Sequence, residues 1–195
     1  IIKKTMMIIL ATFISTVSFG QIDDNLMKAN WKPEKEKIMY GNTILRVEGK
    51  NDIGGMTNIG YETFAQVKAG IEKNAEKEMW TEEKKNEKIA SYSKFASGGL
   101  IHLYLTRLTI DAANTNMFTI IVKDSTETEI FRKELKSDVP NVPSSGSNYW
   151  WNYTTVPITA NIQGKIYVYI IDRLGNDNSK FKFEISLSKI LIVPF

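Results

Sequence analysis

"KFKFEISL", residues 180–187, alternates strictly. Phe181, Phe183, Ile185 and Leu187 fall on one side of an extended chain, and Lys182, Glu184 and Ser186 fall on the other. Such a strand belongs to a sheet with one dry face and one wet face, which is the common condition of antiparallel sheets. The same period of two recurs upstream. In "KIYVYIID" (165–172), Ile166, Val168 and Ile170 oppose Tyr167 and Tyr169. In "SNYWWNYTTVPI" (147–158), Trp150, Val156 and Ile158 oppose Tyr149, Trp151 and Tyr153.

Extending this reading over residues 99–195 gives strands at 100–110, 117–123, 129–135, 149–158, 165–171 and 180–187, with a further run at 189–193. Many short strands separated by turn residues predict an antiparallel β-sandwich, C2-like or immunoglobulin-like in architecture. The stretch 21–98 reads as a mixed strand and helix elaboration packed on that core, within one domain spanning 21–195. Gly41-Asn42 between apolar runs predicts a hairpin. "NDIGGMTNIG" (51–60) reads as a loop. From Tyr61 to about Met79, Phe64, Val67, Ile71 and Ala75 recur at helical spacing. Thr81 reads as the N-cap of a second helix over "TEEKKNEKIA".

The first twenty residues read as an address. Lys3 and Lys4 precede an uncharged apolar run from Thr5 to Val17, and Ser18-Phe19-Gly20 supplies small residues before a cut between Gly20 and Gln21. The run is short for a membrane span, so a signal peptide and a secreted or periplasmic destination are expected, with no transmembrane segment in the mature chain. No Cys follows the cut, which leaves nothing to carry a lipid at the new N-terminus. Without Lys3 and Lys4, 23 basic residues face 22 acidic ones, a net charge of +1. Interleaved signs and a small excess argue against a nucleic-acid partner.

With one His and no Cys, zinc sites and Cys or Ser–His nucleophiles are poorly supplied. His102 sits in the apolar run "GGLIHLYLTRL" and reads as structural. Glycoside hydrolysis needs only two placed carboxylates, but no pair stands out by spacing. The charges at Lys182 and Glu184 would face lipid in an outer-membrane barrel, which counts against that architecture. A binding module is therefore expected, with no catalytic constellation.

Two surfaces are candidates. If consecutive strands alternate in direction, the loops at 111–116, 136–148 and 172–179 gather at one end, bringing Asp111, Asp138, Asp172 and Asp177 together. Convergent loop oxygens suit Ca²⁺, with Asp111, Asp172 and Asp177 as ligands, although Asp and Asn are also ordinary turn residues. The short link around Gly164 predicts a hairpin between 149–158 and 165–171, which would place Trp151 and Tyr153 beside Tyr167 and Tyr169. With Asn152 or Asn148 close by, that face suits a polysaccharide; another envelope protein is the other partner it suits. Alternatively, the helix from Tyr61 lies over it, since an amphipathic helix must bury its stripe.

Overall fold

Period-two alternation becomes two antiparallel sheets. The computed structural model describes residues 37–39, 42–49, 55–174 and 179–187, and these lie within one compact unit spanning 32–195. The leader, its cleavage position, Asp177 and the run at 189–193 lie outside the described residues.

The larger sheet orders its strands β1 (Lys37–Met39), β2 (Asn42–Gly49), β9 (Ser179–Ser186), β8 (Lys165–Asp172), β5 (Phe118–Lys123) and β6 (Glu129–Glu134). The smaller sheet has β4 (Leu100–Arg107) between β3 (Met56–Glu62) and β7 (Trp150–Pro157). Every neighbouring pair is antiparallel. Two helices, α1 (Phe64–Lys77) and α2 (Glu82–Phe95), connect β3 to β4.

Alternation decides which side chains leave water. Ile166, Val168 and Ile170 of β8 are buried, as are Phe181, Phe183 and Ile185 of β9 and Ile120 and Val122 of β5. In the smaller sheet Ile59, Tyr61, Ile101, Leu103, Leu105 and Val156 are buried. One side chain links the two buried faces. Arg107 on β4 reaches Asp172 on β8, with both side chains fully buried.

The loop at 51–60 is only partly a loop. From Met56 the chain is strand, because Thr57, Ile59 and Tyr61 alternate onto the face they share with Leu105, Leu103 and Ile101. The first helix accordingly begins at Phe64 rather than Tyr61. Thr63 Oγ1 accepts a hydrogen bond from the Gln66 N–H, and the Thr63 N–H donates to Gln66 Oε1. This capping box satisfies two donors that a helix start would leave unpaired. Thr81 caps α2 as expected, accepting from the Lys84 N–H. The hairpin at 37–49 forms one residue earlier than read, since Met39 pairs with Asn42.

The hairpin expected between 149–158 and 165–171 does not form. β7 pairs with β4, and β8 pairs with β5 and β9. A short link permits a hairpin without dictating one. Here Ile158 donates its N–H to the Gly99 carbonyl and accepts from the Gly98 N–H, committing the end of β7 to the smaller sheet before the chain crosses over.

The gathering of alternate loops does occur, despite those crossings. Arg173 N–H donates to the Met117 carbonyl at 2.9 Å, Thr115 Oγ1 to the Lys136 carbonyl, and Asp138 N–H to Asn114 Oδ1 at 3.2 Å. The β4–β5, β6–β7 and β8–β9 loops are thus tied together at one pole.

The β5–β6 turn carries a pH-dependent element. Asp124 Oδ1 accepts from the Thr126 hydroxyl at 2.7 Å, the Thr126 N–H at 2.8 Å and the Thr128 N–H at 3.0 Å. The Thr126 hydroxyl first, and then the Thr128 N–H, hold its carboxyl below the ordinary 3.8. A lowered pKa stabilises the turn above the unfolded value, and that contribution disappears as pH falls through the folded one. Amide exchange at Thr126 and Thr128, corrected for its intrinsic pH dependence, should therefore quicken below about pH 4 and return to baseline at neutral pH.

Candidate functional site

The non-core face of the three-stranded sheet is not apolar. β4 sends Ile101, Leu103 and Leu105 to one side and His102, Tyr104 and Thr106 to the other. Register places Gly60 and Thr155 on either side of His102, Asn58 and Tyr153 beside Tyr104, and Met56 and Trp151 beside Thr106. Aromatic and hydrogen-bonding groups are thereby arrayed over three strands of a rigid sheet.

His102 is wholly buried at the centre of this array. Its Nε2 lies 3.3 Å from Glu62 Oε2, while its Nδ1 lies 2.8 Å from the Tyr153 hydroxyl and 3.1 Å from Thr155 Oγ1. A neutral imidazole has one donor and one acceptor nitrogen. With a carboxylate facing it, Nε2 carries the proton and donates to Glu62, which leaves Nδ1 to accept from a hydroxyl. The Tyr153 ring lies nearly parallel to the imidazole, 6.1 Å between centroids and 5° between planes. The relay orients Tyr153 and Thr155, and both hydroxyl residues are half-buried.

One row further along, Tyr104 and Trp151 stack with centroids 6.3 Å apart and planes 27° apart. Beside Tyr104, Asn58 is 4 % exposed, and its Nδ2 has no hydrogen-bond partner. Among the described residues, the only other buried side-chain polar atom in that condition is Asn116 Oδ1. A buried amide donor without an acceptor costs about 1–3 kcal/mol, so its retention calls for a reason.

The helices close one end of this face. Val67 and Ile71 of α1, Tyr92 of α2, Ala96 and Leu100 form one buried cluster, with Phe64, Trp80, Ile89 and Phe95 packed against it. Leu100 shares its side of β4 with His102. The expected helix cover thus meets the sheet at the Leu100 end, whereas Trp151 lies at the opposite end of the same face and stays half-buried.

The aromatic residues expected on one surface are divided between two sheets. Trp151 and Tyr153 lie on the face just described. Tyr167 and Tyr169 lie on the outer face of the larger sheet, where lysines occupy their ring faces. Lys182 Nζ stands 4.3 Å from the Tyr167 centroid, and Lys123 Nζ stands 5.3 Å from that of Tyr169. Glu127 binds both Lys182 Nζ, at 2.8 Å, and the Tyr169 hydroxyl, at 2.7 Å. The Lys182 bond first, and that of Tyr169 second, lower the Glu127 pKa, and the Glu127 bond raises that of Lys182. Asn152 faces the core: it is 1 % exposed and donates to the Ala113 and Asp138 carbonyls. Its parity, opposite to that of Trp151, makes it a strut for the loops, while Asn148 precedes the strand.

At the loop pole Asp111 is exposed and Asp172 is turned inward onto Arg107. Among the described residues, no three His, Cys, Asp or Glu side chains stand close enough to hold a metal ion. No helix among those residues is long and apolar enough to cross a membrane.

Glu62, Asn58 and Tyr104 were missed as site residues. A signal for Tyr104 was present in "LIHLYLTR", where His102, Tyr104 and Thr106 alternate with aliphatics. Glu62 and Asn58 become neighbours only through the β3–β4 register. No family model, curated protein or solved structure matches this chain.

Proposed function

We propose that the chain is an exported β-sandwich, C2-like or immunoglobulin-like in layout, that acts by binding rather than catalysis. In this reading the polar and aromatic face of its three-stranded sheet takes a saccharide. The observation that carries it is the half-buried Tyr104–Trp151 stack beside the Tyr153 and Thr155 side chains. A sugar presents apolar C–H faces to aromatic rings and hydroxyls to hydrogen-bonding side chains, so one ligand matches both features of this face. The Glu62–His102–Tyr153 relay adds hydroxyls whose orientation is fixed before a ligand arrives, which lowers the cost of binding.

The test separates binding from stability. Asn58→Leu removes an unsatisfied buried donor at similar volume, so it should raise unfolding stability by about 1 kcal/mol. Retention on the immobilised polysaccharide that holds the wild type should persist in this variant, because the amide lies beneath the surface. Trp151→Ala should weaken the same retention at least tenfold. Failure of the wild type to bind any member of a broad glycan panel would sink the saccharide reading.

A further inference from the structure

His102 carries the only imidazole of the sequence, and it joins a carboxylate to two hydroxyls on the non-core face of the three-stranded sheet. Its own side chain is fully buried, while Glu62, Tyr153 and Thr155 each keep part of their surface in solvent. The Thr155 hydroxyl also donates to the Tyr153 oxygen, at 3.2 Å.

While the imidazole is neutral, the protons of this chain all run one way. Thr155 donates to Tyr153, Tyr153 donates to Nδ1, and Nε2–H donates to Glu62. Thr155 then offers lone pairs to a ligand, since its proton is turned inward. Uptake of one proton reverses this. An imidazolium donates from both nitrogens, so Nδ1–H is aimed at the Tyr153 oxygen 2.8 Å away and the phenolic proton must leave that line. Thr155 Oγ1 is the acceptor beside it, and the Thr155 proton turns outward. One proton enters from water and none leaves. Glu62 Oε2 stays 3.3 Å from Nε2 as the counter-charge, so the new cation is buried as a pair rather than alone.

The other described groups around His102 leave this role to it. On β4, Tyr104 and Thr106 share its face and carry no charge. From the helices, α1 brings the aliphatic Val67 and Ile71 to the cluster at Leu100, and α2 brings Tyr92. Burial first, and the Glu62 charge second, raise the Tyr92 pKa, so that phenol stays neutral. Lys88 stands over the Tyr92 ring, 5.6 Å from its centroid.

We infer that His102 is a pH switch for this face, reversing the Thr155–Tyr153 hydrogen bond and converting Thr155 from an acceptor to a donor toward ligands. Ligand oxygens that carry no proton, such as those of a carboxylate, are then matched in acid and not at neutral pH. The reversal stands on geometry; its use in ligand capture rests on the saccharide reading.

Nitrogen-resolved NMR of the full chain reads the switch directly, and a single imidazole needs no assignment. At about pH 8, Nε2 should carry the proton and Nδ1 should be bare. Lowering the pH to about 5 should protonate Nδ1. The ring signals of Tyr153, identified by their loss in Tyr153→Phe, should move with the same midpoint, and those of Tyr167 should not. Glu62→Gln should mix the two neutral tautomers, because a carboxamide both donates and accepts. A bare Nε2 at the upper end, an imidazole that keeps one state throughout, or a Tyr153 ring that ignores the titration would each overturn the switch, whether or not the protein holds a glycan. A chain that titrates as described yet binds no glycan overturns the saccharide reading alone.

Discussion

Asp172→Ala is expected to destabilise the protein by about 3–5 kcal/mol, measured by urea unfolding, because it leaves a guanidinium buried without its counter-charge. The environment of Arg107 shows why. Nε and Nη2 both donate to Asp172 Oδ2, at 3.1 and 2.7 Å. Nη1 donates to the Met56 and Thr106 carbonyls, and Nη2 also to Thr57 Oγ1 at 2.6 Å. All five N–H groups of the side chain are therefore satisfied. The rings of Phe118 and Phe181 stand 5.1 and 6.0 Å from its central carbon. Burial pushes the Arg107 pKa down, and the Asp172 hydrogen bond and charge push it back. Strands from both sheets thus converge on one cation.

Removing the cation alone should cost as much as removing the anion alone. Arg107→Met leaves a carboxylate enclosed, with the Leu174 N–H at 3.1 Å as its remaining described donor. The double variant Arg107→Met/Asp172→Leu should recover most of the loss, since no buried charge remains. Two single losses that simply add in the double variant would show that the pair is not coupled. Arg107→Lys should also be costly, because an ammonium cannot reproduce the planar fork.

The second large effect is expected at Gly99. Its φ is +95°, and a Cβ there would stand 2.2 Å from the Glu62 carbonyl oxygen. A left-handed conformation costs a non-glycine residue about 1–3 kcal/mol, and the clash is with backbone that no rotamer change can relieve. Gly99→Ala should therefore cost about 3 kcal/mol or more. The effect should spread, because this residue receives the chain from α2 into β4. Gly99 N–H donates to the Ala96 carbonyl, and the Ile158 N–H donates to the Gly99 carbonyl. Loss of near-ultraviolet signal from Trp80, which packs in the helix cluster, should accompany the fall in stability. Gly70 in α1 is the control. A Cβ there meets nothing within 4 Å, so Gly70→Ala should stabilise by up to about 1 kcal/mol.

Much of the fold was legible because alternation and capping are local. "KFKFEISL" and "KIYVYIID" declared their buried sides directly, and Thr81 with Glu82 and Glu83 marked a helix start that the structure keeps. The shared pole of the loops followed from alternating strand directions, which survive even where the chain changes sheets. Sheet membership was not legible. Period two shows which side of β7 is dry, but not whether β7 pairs with β8 or β4. The candidate site was lost for the same reason. His102 gained its partners from residues 40 and 51–53 positions away, and a reading confined to its own strand saw only aliphatic neighbours. Arg107 drew no notice within "LYLTRL", since nothing local announces that Asp172 and two phenylalanine rings enclose it.

The pairing of β2 with β9 joins Thr43 to Ser186, near opposite ends of the described chain. Before β9 is available, β2 has β1 as its partner in the larger sheet, and a two-stranded hairpin alone is marginal in water. Closing so long a connection is entropically slow and rewards the chain only when the final strand docks. Shortening the chain ahead of Ser179 should therefore release segments at the far end of the sequence as well, so that damage near one terminus is felt at the other.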